Sequence, residues 1–180
     1  MTINEFDEID WLTGFLNNGD GLKKEDISRI GNFVFLWNLL EYIGLGKDAS
    51  IAKIKSLVDQ IDQNVPLVAG EFDEFVNYFS NRYFDPTGQS PYSFEGLKFR
   101  PSANDQVAKA EVTAVLTKNE QNPVMVLKAL LVICYRFRNN LFHGEKQLIS
   151  LDEQIDNFIV ANNILKLVLE KIKGSGVFNL

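Results

Sequence analysis

The stretch VMVLKALLVICYRFRNNLFHG, residues 124–144, decides how this chain is read. Its first part, residues 124–135, is apolar apart from Lys128. Its second part, RFRNNLFHG at 136–144, holds the only histidine of the chain, His143. Pro123 stands where the first turn of a helix accepts proline, and Gly144 stands where a helix commonly stops. The spacing predicts a helix over 123–140. A helix that is apolar almost all round belongs at the centre of a bundle. The run is shorter than the roughly 20 residues needed to cross a bilayer.

Outward from this segment the apolar residues recur at intervals of three and four, the signature of amphipathic helices. Phe6, Ile9 and Leu12 predict a helix over 5–16. Ile27, Ile30, Val34, Trp37 and Leu40 predict one over 24–43, with Phe33, Phe35 and Trp37 read as core. GLGKDAS at 44–50 is a break, with Asp48 or Ser50 as the cap of the next helix. Ile51, Ile54, Leu57, Val58 and Ile61 predict a helix over 51–61. Phe72, Phe75, Val76 and Phe79 place another over 71–83. Weaker patterning at 104–119 gives a fifth. Ile155, Phe158, Leu165, Val168 and Ile172 line the last, over 151–172. One segment resists: DPTGQSPYSFEGLKFRPSAN, 85–104, carries three prolines and no helical period. YSF and LKF around Glu95–Gly96 are spaced to pair as a small hairpin. The expected fold class is therefore all-α, one domain over 1–180, a helical bundle of six to seven helices with a long irregular insertion at 85–104.

Composition narrows the function. The chain has 180 residues, 46% of them hydrophobic, enough for a packed core. Eighteen basic against 24 acidic residues give a net charge of −6. Proteins that coat nucleic acid without sequence preference are usually basic, so any nucleic-acid contact here must come from a local basic patch. One cysteine, Cys134, cannot form an internal disulfide and points to a reducing, cytoplasmic setting. One cysteine and one histidine make a structural zinc site untenable, and no metal or cofactor is expected. GLG at 44–46 follows a helix and is a helix stop, not a phosphate loop. The carboxylates at 7–10, 59–62 and 71–74 sit on helix faces or first turns, as solvated acids do.

The polar end of the central helix is the candidate site. Arg138 offers a planar, permanently charged fork suited to phosphate oxygens. His143 can act as general base or acid near neutrality. Asn139 can orient either the phosphate or the imidazole. Arg136 and Lys146 add positive field. In the irregular segment, Lys98 and Arg100 interleave with Tyr92, Phe94 and Phe99, a pattern that can stack bases while holding a backbone; the same rings can equally pin the segment to the bundle. A second reading of the helix end is also open. Cations near a helix C-terminus stabilise its dipole. On a straight helix Arg138 and His143 lie five residues apart, about 140°. They converge only if the helix unwinds near Asn140 or if two copies face each other.

With Arg138, Asn139 and His143 closing a buried helix, and a further long helix following, the chain resembles the HEPN superfamily, whose signature is Arg, four to six residues, then His. FVFLWNLLEY at 33–42 also resembles an early helix of bacterial defence-associated members. The resemblance implies a metal-independent endoribonuclease, commonly a homodimer with both motifs at the interface, of the kind found in toxin–antitoxin pairs and antiviral effectors. RNA, a second copy and an antitoxin or regulatory protein are the implied partners. The family also contains helical modules that do not cleave RNA and instead bind a protein, a nucleotide or RNA.

Overall fold

The computed structural model describes residues 6–16, 23–84, 94–142 and 154–176. Within them the three-and-four spacing yields seven α-helices and no strand: α1 (Glu8–Leu16), α2 (Lys24–Gly44), α3 (Ile51–Asn64), α4 (Asp73–Tyr83), α5 (Ala103–Leu116), α6 (Pro123–Phe142) and α7 (Ile155–Ser175). The bundle architecture is the expected all-α one.

Local chemistry sets the boundaries. The Ser50 hydroxyl accepts the Lys53 N–H, so Ser50 and not Asp48 caps α3. Ser102 does the same for α5 through the Asp105 N–H. At the end of α2 the Leu45 and Lys47 N–H groups both donate to the Glu41 carbonyl, and Gly46 sits at φ +63°. A left-handed residue is how many helices stop, and glycine takes that conformation without a steric penalty.

α6 runs through the middle of the fold. It packs against α3, α4, α5 and α7, while α7 lies along α2. Leu127, Leu130, Leu131, Ile133 and Cys134 are sealed from solvent. A chain of rings ties the layers together: Phe33 of α2 meets Phe158 of α7 at 5.2 Å, Phe158 meets Phe137 of α6 at 6.3 Å, and Phe137 meets Phe79 of α4 at 5.9 Å. Such pairs add to what area burial supplies. One buried cluster draws on α2 to α7; α1 packs on α2, and among its described side chains none is buried.

Two expectations are corrected. Residues 94–97 form a 310 turn followed by extended chain, so the hairpin around Glu95–Gly96 does not form; residues 85–93 lie outside the described residues. Phe35 is not core. Phe33 and Trp37 are fully buried, whereas Phe35 is 70% exposed. The reason is geometric: 33 and 37 are one turn apart, and 35 is half a turn from both. The helix expected over 123–140 is present and continues through Phe142, so of the two ways for Arg138 and His143 to converge, unwinding near Asn140 is not the one used.

The core assignment is testable with a paired measurement. Phe33→Ala removes a fully buried ring and is expected to lower the urea unfolding free energy by about 3–5 kcal/mol. Val107→Ala, on the exposed face of α5, is expected to stay within about 0.5 kcal/mol of the parent.

Candidate functional site at the polar end of α6

Helical geometry divides the motif before any chemistry is considered. Arg136 and Asn140 are one turn apart and share a face; Arg138 lies about 200° from Arg136. The structure uses the two faces differently.

Arg136 and Asn140 face inward, onto the segment between α4 and α5. Arg136 is 3% exposed. Its Nε donates to the Leu97 carbonyl at 3.0 Å, one terminal nitrogen donates to the Lys98 carbonyl, and the other lies 3.4 Å from the Asp105 carboxylate. The Asn140 amide donates to the Gly96 carbonyl at 3.0 Å. Asp105 also accepts the Arg100 N–H at 2.6 Å. Three consecutive carbonyls, 96 to 98, thus receive donors from α6. Lys98 is held at φ +53°, an uncommon backbone state for a residue with a Cβ. The Phe99 ring lies 5.5 Å from the guanidinium carbon, and Phe94 packs on Tyr83, Phe84 and Phe99.

This geometry corrects the reading of Arg136 as a substrate-binding cation. Its charge is buried, and its donors are aimed at the protein's own backbone. It also resolves the two readings of the aromatic residues: Phe94 and Phe99 pin the segment to the bundle. Tyr92 lies outside the described residues. Lys98 and Arg100 keep exposed side chains, but they belong to the segment under Arg136, on the opposite side of α6 from Arg138. The structure does not bring them to Arg138.

Arg138 faces α2. Its side chain is 31% exposed and lies 3.6 Å from the Glu41 carboxylate. Its other terminal nitrogen donates to the Asn139 side-chain oxygen at 3.2 Å, which fixes the orientation of that buried amide. Glu41 is itself anchored: its second oxygen accepts the Ala49 N–H at 3.2 Å. The Tyr135 hydroxyl donates to the Ala49 carbonyl at 3.4 Å, and Tyr135 stacks on Trp37. So Arg138 stands at the bundle surface, held from α2 on one side and by its neighbour Asn139 on the other. His143 and Lys146 follow the end of α6 and lie outside the described residues.

Glu41 is the residue the sequence reading passed over. The signal was present: it is the one carboxylate in the otherwise largely apolar stretch 33–43, and a buried carboxylate is paired or hydrogen-bonded. Two other features of the molecule lie apart from this site. Cys134 is fully buried, and burial pushes its thiol above the ordinary range, so it stays protonated and unreactive. A cleft of about 300 Å3, lined by Gly70, Phe72, Asp73, Lys118, Gln121 and Pro123, opens at the other end of α6. It is some fifteen residues, roughly 22 Å along the axis, from Arg138. Among the described residues no three metal-ligating side chains gather, and no helix is long and apolar enough to cross a membrane. Comparison with family models, curated proteins and solved structures finds no match.

The two arginines are separable by stability. Arg136→Ala leaves the Leu97 and Lys98 carbonyls without their side-chain donor and Asp105 without its buried cation, and is expected to cost about 3–5 kcal/mol in denaturant unfolding. Arg138→Ala breaks a pair whose guanidinium is 31% exposed and within reach of water, and is expected to cost about 1 kcal/mol. Equal costs at the two positions would contradict this division of labour.

Proposed function

We propose that the protein is a metal-independent endoribonuclease of the bacterial toxin or antiviral-defence kind, with Arg138, Asn139 and His143 as its working residues at a homodimer cleft. The observation that carries this reading is the placement of Arg138. It is a solvent-reachable guanidinium with a fixed orientation near the last described turn of a buried helix, and His143 is five residues further along the sequence.

The chemistry follows from the residue types. The ribose 2′-oxygen attacks the adjacent phosphorus while a base takes its proton. The bond from phosphorus to the 5′-oxygen breaks, and an acid protonates the leaving oxygen. The products are a 2′,3′-cyclic phosphate and a free 5′-hydroxyl. Imidazole, with a free pKa of about 6.5, serves as base or acid near neutrality. Arg138 would neutralise the charge that builds on the phosphorane oxygens. Asn139, bonded to Arg138, would hold that guanidinium in register. One chain has a single histidine, and an acid–base pair needs two groups. A two-fold dimer supplies two imidazoles to one cleft. Lys146 adds positive charge beside His143 in the sequence. The cytoplasm and an antitoxin or other regulatory partner complete this reading.

The Glu41–Arg138 pair favours a second reading. A guanidinium already engaged by a carboxylate and an amide can be a helix-end contact in a non-catalytic HEPN-like module that binds a protein, a nucleotide or RNA. The two readings part in one assay. A mixed RNA pool is incubated with the protein in excess chelator, and the new ends are analysed. The expected outcome is cleavage with 2′,3′-cyclic phosphate ends, reduced at least about a hundredfold in both His143→Ala and Arg138→Ala. Absence of cleavage across the pool, with folded protein, leaves the binding module.

A further inference from the structure

We propose that the cleft at the start of α6 binds a free apolar α-amino acid, with the ligand's ammonium at Asp73, its carboxylate at Lys118 and its side chain on the apolar floor. The proposal is independent of the nuclease reading, because the cleft lies at the far end of α6 from Arg138.

Three pieces of chain build the cleft. The first turn of α4 forms one wall, the connection between α5 and α6 forms another, and the first turn of α6 closes it. The floor is apolar: Phe72, Val76, Val115 and Val126 are all buried. Water gains little from such a floor, and a hydrocarbon side chain laid on it leaves water for apolar surroundings.

The α5–α6 connection satisfies its own hydrogen bonds. The Asn119 and Glu120 N–H groups both donate to the Ala114 carbonyl, at 2.8 and 3.1 Å. The Gln121 amide donates to the Lys118 carbonyl at 3.2 Å. The Glu120 carboxylate accepts the Asn122 N–H at 2.8 Å, and the Asn122 side chain accepts the Val124 N–H at 3.0 Å. Glu120 lines the cleft but is thereby committed to the turn.

Two charged side chains on the rim are left over. Asp73 stands on the α4 wall, its Oδ2 3.5 Å from where a Cβ on Gly70 would be. Asn77 lines the same wall one turn later. Lys118 stands on the other wall, with its backbone in the left-handed region at φ +61°. Among the described residues, neither the Asp73 carboxylate nor the Lys118 ammonium has a hydrogen-bond or ion-pair partner, and they do not pair with each other.

Charge complementarity then selects the ligand. An anion alone would face Asp73, a cation alone would face Lys118, and a neutral apolar molecule would leave both unanswered. A zwitterion with an apolar side chain matches the two charges and the floor together. Size agrees: the cleft holds about 300 Å3, the low end of the roughly 300–1,000 Å3 range of ligand sites. That suits a single amino acid rather than a nucleotide or a folded peptide.

The test uses the full chain with L-leucine as the probe. Methyl NMR is expected to show saturable shifts at Val76, Val115 and Val126, and none at Val107 on the exposed face of α5. N-acetyl-L-leucine, which lacks the ammonium, and L-leucinamide, which lacks the carboxylate, are each expected to bind at least about tenfold more weakly. Asp73→Asn and Lys118→Ala are each expected to weaken L-leucine by about the same factor with an unchanged circular dichroism spectrum, since both side chains are exposed. The ligand series needs no variant and stands by itself should either substitution disturb folding. Valine methyls of the floor that do not shift up to the solubility limit of L-leucine overturn the proposal. So does N-acetyl-L-leucine or L-leucinamide binding as tightly as L-leucine, or binding indifferent to both substitutions. Failure of RNA cleavage leaves the proposal untouched, and failure of L-leucine binding leaves the nuclease reading untouched.

Discussion

A buried guanidinium organises one side of this molecule. Arg136 is charged, almost fully enclosed, and bonded to two carbonyls and a carboxylate. A charge in such a place is tolerated only when its donors are met, and removing one partner is far costlier than the net worth of the bonds. The segment over 94–105 contributes little regular structure. It holds its course because Arg136 and Asn140 receive it, because Asp105 collects the Arg100 N–H, and because Phe94 and Phe99 seal the apolar side. The uncommon backbone state of Lys98 persists for the same reason: surrounding contacts determine it.

The same helix then has its other face released from structural duty. With Arg136 and Asn140 committed to the interior, Arg138 is left to α2 and to solvent. Glu41 does two jobs at once there. It ties the turn after α2 through Ala49, and it steadies a guanidinium at the surface. Alternation of structural and surface cations in RFRNN is thus a direct product of the 100° step per residue, not of composition.

Much of the fold could be read from the sequence, and the reasons for the failures are specific. The helices are legible because three-and-four periodicity and a strong breaker such as GLGKDAS coincide with real ends. Phe35 was misread because a stretch rich in large apolar residues, FVFLW, hides which residues face out; only the angular position separates 35 from 33 and 37. The hairpin was misread because short aromatic–polar alternation says nothing about the long-range donors on α6 that bend the segment into a 310 turn. At the site, Arg138 and Asn139 were identified by motif and are neighbours in space. Arg136 passed the same spacing rule, and only its burial tells that it serves the fold. Glu41 was invisible to motif reasoning since its partner lies far away in the chain.

Charge then constrains what kind of RNA recognition such a site can support. The chain carries −6, so long-range attraction of a polyanion is not available. At physiological ionic strength exposed charges are screened beyond about 8 Å. Within that distance the groups that matter are Arg138 and its immediate neighbours. A guanidinium carries five N–H donors, so bonds to Glu41 and Asn139 do not exclude a phosphate. They remove rotamer freedom that binding would otherwise have to freeze. Glu41 in turn cannot follow an incoming anion's displacement, because its other oxygen is held by the Ala49 N–H. An acidic surface with one oriented, partly shielded cation disfavours coating a strand. If the proposed nuclease reading holds, such a surface favours holding a single phosphodiester whose neighbours are already placed by shape.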